Sequence, residues 1–150
     1  MPSGSAATSI ASSTSRSVAD ATRGLLDTSV VVDLDLVDVD ALPAESAISA
    51  VTLAELAAGP HAARDAGERA RRQDRLQWAA STWDPIPFDA EAARAYGLVF
   101  ASVRSAGRTS RARLADLLIA ATATANGLPL YTRNPRDFAG LTRVVKIVSI

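Results

Sequence analysis

The sequence predicts an α/β fold built on a mostly parallel sheet, and three observations carry that prediction. Short β-branched or apolar runs alternate along the chain with longer segments of helical periodicity, the pattern of strand–helix–strand units. Gly, Pro and Asn-Gly signals punctuate the ends of those segments. At 150 residues, with 48% hydrophobic and 21% charged, the chain has the size and composition of a single folded domain.

The elements follow in order. Met1 to Ala21 is rich in Ser, Ala and Thr, has Arg16 as its one basic residue and lacks the apolar core of a secretory signal. Residues 1–22 are therefore expected to form a disordered tail, and 23–150 the domain. "GLLDTSVVVDL" reads as a buried, β-branched strand, and "SAISAVTLAELAAG" begins with strand-like alternation before passing into a helix that stops at Gly59. From His61 to Ser81 the pattern is that of a solvated amphipathic helix, with Leu76 and Trp78 on its buried side and its arginines on a wet face. Pro85 and Pro87 make "WDPIPF" a short extended piece. Asp89 caps the helix "DAEAARAYGLVFASVRSAG", whose early carboxylates suit the positive end of the helix dipole. "GRTS" breaks the chain before the apolar helix "RARLADLLIAATATANG", which Asn126-Gly127 closes. "LPLYT" is a strand, "RNPRDFAG" a turn and "RVVKIVSI" a final strand.

Composition bounds the chemistry. Sixteen Lys+Arg balance sixteen Asp+Glu, so a nucleic-acid partner cannot be read from net charge and must come from local clustering. Arg64, Arg69, Arg71, Arg72 and Arg75 form one such cluster, and Arg104, Arg108, Arg111 and Arg113 another. The absence of cysteine excludes disulfides, thiolate catalysis and Cys-based zinc sites and is compatible with a cytoplasmic protein. No segment approaches the roughly 20 apolar residues of a membrane span. His61 is the sole histidine, which sets aside a ribonuclease working by histidine acid–base pairs.

In parallel α/β sheets, functional groups gather at the carboxyl ends of strands and at the helix starts that follow. Asp27, after "GLL", occupies such a place, and its alternative role is a helix N-cap. Glu55 lies one turn into the helix after another strand. Asp116 interrupts an otherwise apolar helix, where a charge requires a partner or a metal. Asn134 and Asp137 lie just past "LPLYT", with Thr132 placed to orient a carboxylate or water. Carboxylates drawn from several strand ends form an oxygen-rich pocket suited to Mg²⁺ or Mn²⁺, which would serve nuclease or phosphatase chemistry.

"LLDTSVVVDL", "SAVTLAEL" and "RLADLLIAATATANGLPLYTRNPRDF", in that order, resemble the PIN-domain ribonucleases, specifically the VapC-type toxins of toxin–antitoxin pairs. The resemblance runs from Gly24 to Ile150. It implies a three-layer α/β/α sandwich and an endoribonuclease dependent on Mg²⁺ or Mn²⁺, with Asp27, Glu55 and Asp116 as catalytic, metal-binding acids. The fourth acid falls in or after the "TRN" turn, where Asn134 and Asp137 both qualify; Asp137 is favoured, with Asn134 a neutral neighbour. Thr28, Ser29 and Thr132 would orient carboxylates and waters, and Arg108, Arg111 and Arg113 would grip the RNA backbone. The resemblance also makes "VVVDLDL" helical rather than strand, and implies a VapB-like antitoxin and a homodimer. Two rivals stand beside it. "VVDLDLV" mimics the Asp-x-Asp strand end of haloacid-dehalogenase-like phosphatases, with Asp33 as nucleophile, although Lys146 is the only lysine such an enzyme could use. A non-catalytic RNA- or protein-binding module is the other.

Overall fold

The computed structural model describes residues 22–107 and 113–150. Arg108 and Arg111, and the tail expected over residues 1–22 apart from Thr22, lie outside the described residues.

The first strand, β1 (Arg23–Leu26), stops at Asp27, whose extended backbone turns the chain into a short helix, α1 (Thr28–Val32). "VVVDL" is therefore helical, as the family resemblance implied, and not a continuation of the strand. The Asp27 carboxylate takes the Val30 amide, so a β-branched run that favours strand by composition is started as helix by its cap. Short 3₁₀ turns at Leu34–Leu36 and Val39–Ala41 lead to β2 (Glu45–Ile48) and α2 (Ala50–Ala58), with Ser49 as the N-cap. After a 3₁₀ turn at Gly59–Ala62 come α3 (Ala66–Thr82) and α4 (Ala90–Ser105), capped by Asp65 and Asp89. The helix α5 (Leu114–Ala125) ends at Asn126 and Gly127, whose φ of +63° supplies the left-handed residue of the C-terminal turn. Then follow β3 (Leu130–Thr132), a 3₁₀ turn at Pro135–Phe138, and β4 (Ile147–Ser149).

The sheet has the order β2-β1-β3-β4 and every pairing is parallel. Ile86, from the "WDPIPF" piece, adds a single parallel bridge to Ser49 at the β2 end. Side chains alternate across the strands and sort into two cores. Leu25 and Leu130 join Ala95, Val99, Ile119 and Phe138 from α4, α5 and the last 3₁₀ turn on one face. Leu26 and Ile48 join Val30, Val31, Leu56 and Ala79 from α1, α2 and α3 on the other. A three-layer α/β/α sandwich results, as expected.

Two local expectations need correction. The last strand is only Ile147–Ser149, because the amides of Val144 and Val145 both turn back to the Leu141 carbonyl, leaving "RVV" in a turn. Trp78 is 39% exposed, whereas Ala79 is fully buried: the small residue takes the position against the sheet, with Leu76 and Trp83 flanking it. Among the described residues no helix is long and apolar enough to cross a membrane.

Candidate active site

Asp27 stands where the strand-end rule placed it, between the carboxyl end of β1 and the start of α1, and only 4% exposed. A buried carboxylate needs compensating donors, and it has three. The Val30 amide and the Ser29 hydroxyl approach Oδ1 at 3.3 and 2.5 Å, and the Thr132 hydroxyl donates to Oδ2 at 2.6 Å. Both hydroxyls accept in turn from the β3 turn, Ser29 Oγ from the Arg133 amide at 3.1 Å and Thr132 Oγ1 from the Asn134 amide at 2.9 Å. Each link thus runs amide to hydroxyl to carboxylate, an arrangement whose dipoles reinforce one another. The N-cap role weighed for Asp27 is present, and the same carboxylate also borders a cleft.

Glu55 projects from α2 toward α1, and the Thr28 hydroxyl donates to its Oε1 at 2.6 Å. Thr28 Oγ1 also lies 3.2 Å from Thr52 Oγ1, so a buried threonine of α2 fixes the donor that fixes the acid. Asp116, in the first turn of α5, reaches back to accept from the Arg113 amide at 3.1 Å, the carboxylate half of a capping box. Burial raises its pKa above the ordinary value, the Arg113 amide pulls it down, and the charges of Asp137 and Glu55 push it up further. Asp137 follows β3 in the Pro135–Phe138 turn, with its amide on the Asn134 carbonyl.

Asp27, Glu55, Asp116 and Asp137 line one cleft of about 800 Å³, together with Thr28, Ser29, Asn134 and Arg113. Thr132 is fully buried behind Asp27 rather than at the cleft wall. Asn134 and Asp137 both reach the cleft, and it is the Asp137 charge that bears on Asp116. Among the described residues no three Asp, Glu or His side chains cluster closely enough to share an ion as they stand. The donor set is nonetheless all oxygen, and the acids repel. Such a set fits a hard divalent cation like Mg²⁺, which keeps several waters and takes one or two carboxylates directly.

Asp33 caps the C-terminal end of α1, not a strand end, and its carboxylate pairs with Arg133 at 2.9 Å. Lys146 does not line the cleft. The phosphatase arrangement is therefore not built. Arg71, Arg72 and Arg75, named in the sequence as one cluster but read as a wet face, line the same cleft from α3. The signal lay in their spacing of three and four residues, but periodicity alone could not tell which flank of α3 meets the site.

An all-parallel α/β/α domain with Asp27 and Asp137 past the ends of β1 and β3, and Glu55 and Asp116 from two helices, facing one cleft defines a class of acidic-cleft α/β domains. Within that class, this chain belongs to the PIN-domain family, whose profile matches residues 24–144. It is 37% identical over 121 residues to Ribonuclease VapC5 of Mycobacterium tuberculosis, across 79% of this chain and 87% of that protein. It is 40% identical over 101 residues to Ribonuclease VapC8 of the same species, across 67% and 89%. A solved structure from a member of the VapBC family of toxin-antitoxin systems, VapBC-5 of M. tuberculosis, matches with a TM-score of 0.77 at 36% identity, covering 86% of this chain and 99% of that one.

Proposed function

We propose that the protein is the toxin of a type II toxin–antitoxin pair, an endoribonuclease of the VapC type that uses Mg²⁺ or Mn²⁺ and acts in the cytoplasm. The observation that carries this reading is the convergence of Asp27, Glu55, Asp116 and Asp137 on one cleft of a PIN domain. Asp27, Glu55 and Asp116 would hold the metal, and Asp137 would complete its site. A divalent ion held there would supply Lewis acidity, activating water and offsetting phosphodiester charge.

The chain's own residues supply position. Ser29, Thr132 and the Val30 amide fix both oxygens of Asp27. Thr28 aims Glu55, and the Arg113 amide tethers Asp116. The exposed Arg113 side chain at the cleft rim is a phosphate contact. Solved structures of VapBC toxin–antitoxin systems support a VapB-like antitoxin as partner, which would sit over the cleft with a basic group toward the acids. Leu98, 60% exposed on α4, supports a homodimer through that helix.

The test is cleavage of total RNA by antitoxin-free protein with Mg²⁺, with EDTA, and with Asp27→Asn and Asp116→Asn proteins purified identically. Discrete fragments that need both the metal and the two aspartates are expected. Phosphomonoester hydrolysis dependent on Asp33, or no cleavage by folded, metal-loaded protein, would overturn the proposal.

A further inference from the structure

We infer that the outer flank of α3 is a track for single-stranded RNA, with Arg71 holding a phosphate and Trp78 stacking an unpaired base; this rests on the ribonuclease reading of the cleft. Three observations combine. Arg71, Arg72 and Arg75 bring cations to the cleft that holds the four acids, in a chain whose net charge is zero. Two of these guanidiniums are already engaged: Arg72 with the Gly59 carbonyl at 2.8 Å and Glu68 at 2.5 Å, and Arg75 with Asp35 at 3.5 Å. Arg71 is exposed, and its guanidinium makes no ion pair among the described residues. It is left to bind an anion from outside the chain.

Trp78 lies seven residues beyond Arg71, two turns along the same flank of the helix, with Arg75 between them. Trp78 is 39% exposed, and its ring meets Trp83 edge to face, with centroids 5.1 Å apart at 80°. Whichever ring supplies the edge, Trp78 keeps at least one face clear of Trp83, and Trp83 braces it. A braced, half-exposed indole beside a line of arginines is what sequence-tolerant recognition of single strands requires: cations for the backbone and an aromatic face for the base. A paired duplex offers no splayed base to stack, so the track selects loops and single-stranded segments. It also places the strand in the cleft by contacts remote from the acids.

The experiment measures binding of a fluorescein-labelled, unstructured 12-nucleotide RNA in EDTA, where nothing is cut, alongside cleavage in Mg²⁺. Wild type, Arg71→Gln, Trp78→Ala, Trp78→Phe and the charge control Arg94→Gln on α4 are compared, with Tm confirming that each is folded. Arg71→Gln should weaken binding several-fold and reduce the log–log salt slope by about 0.7, the share of one neutralised phosphate. Trp78→Ala should weaken it by about five-fold or more, Trp78→Phe should retain most of the affinity, and Arg94→Gln should match wild type. The same RNA annealed to its complement should bind more weakly. If Arg71→Gln and Trp78→Ala bind as wild type does while wild type binds and cuts, the track is wrong and the nuclease stands. If wild type neither binds nor cuts RNA, both readings fail together.

Discussion

At the scale of single residues, Asp27 is held before any ligand arrives. Its three donors include a fully buried Thr132 hydroxyl that also receives the Asn134 amide. Thr132→Val keeps the shape and removes both bonds, one of them to a charged acceptor, and should cost about 2–3 kcal/mol in urea unfolding, with Thr132→Ser restoring most of it. Asp116 is the opposite case. Burial first, then the charges of Asp137 and Glu55, raise its carboxyl above the ordinary value. Between the unfolded and the raised folded pKa the folded protein binds more protons than the unfolded chain, so stability falls as pH rises through that window. Above the window the penalty is constant. Asp116→Asn should therefore raise the metal-free Tm at neutral pH, on the order of a few °C, and the gain should vanish once the pH drops below the unfolded carboxylate value. Thermal melts in EDTA across pH check the sign.

Among the elements, β1 is the one everything leans on, with β2 on one side, β3 on the other and Asp27 at its end. Tyr131 of β3 lies over Gly24, where an added Cβ would stand 2.3 Å from the Tyr131 ring and 3.0 Å from Pro43. Gly24→Ala should force the ring aside and cost about 1–3 kcal/mol, read as a lower urea midpoint with an unchanged slope. Strand ends in parallel sheets made Asp27 and Glu55 legible, a charge inside an apolar helix marked Asp116, and the family resemblance favoured Asp137 over Asn134; all four acids reach the cleft. Where the sequence misled, a local preference had lost to a distant contact. Val30 and Val31 favour strand, but the Asp27 cap and packing against Leu56 and Ala79 make them helix. Trp78 is apolar enough to suggest burial, yet Ala79 fits the sheet more closely. Arg71 and Arg75 read as solvent charges until the fold shows what α3 borders.

For the whole molecule, crowded carboxylates imply a domain that is more stable loaded than empty. A cation at a hundred times its Kd adds about 2.7 kcal/mol by linkage, or roughly 5–10 °C in Tm for a domain of this size. Millimolar Mg²⁺ should raise the melting point of wild type by that order, and Asp27→Asn or Asp116→Asn should lose most of the rise. An unchanged wild-type Tm would mean the acids do not act together. The link from Thr132 to Asp27 closes across 105 residues of sequence, and its reach bears on timing. During synthesis β1, α1, β2 and α2 emerge first, but β3, the hydroxyl that locks Asp27 and the last acid of the cleft come more than a hundred residues after β1. Until then a growing chain carries its acids without the strand and turn that bring them together, so the cleft assembles only after β3 and the turn that follows it have been made.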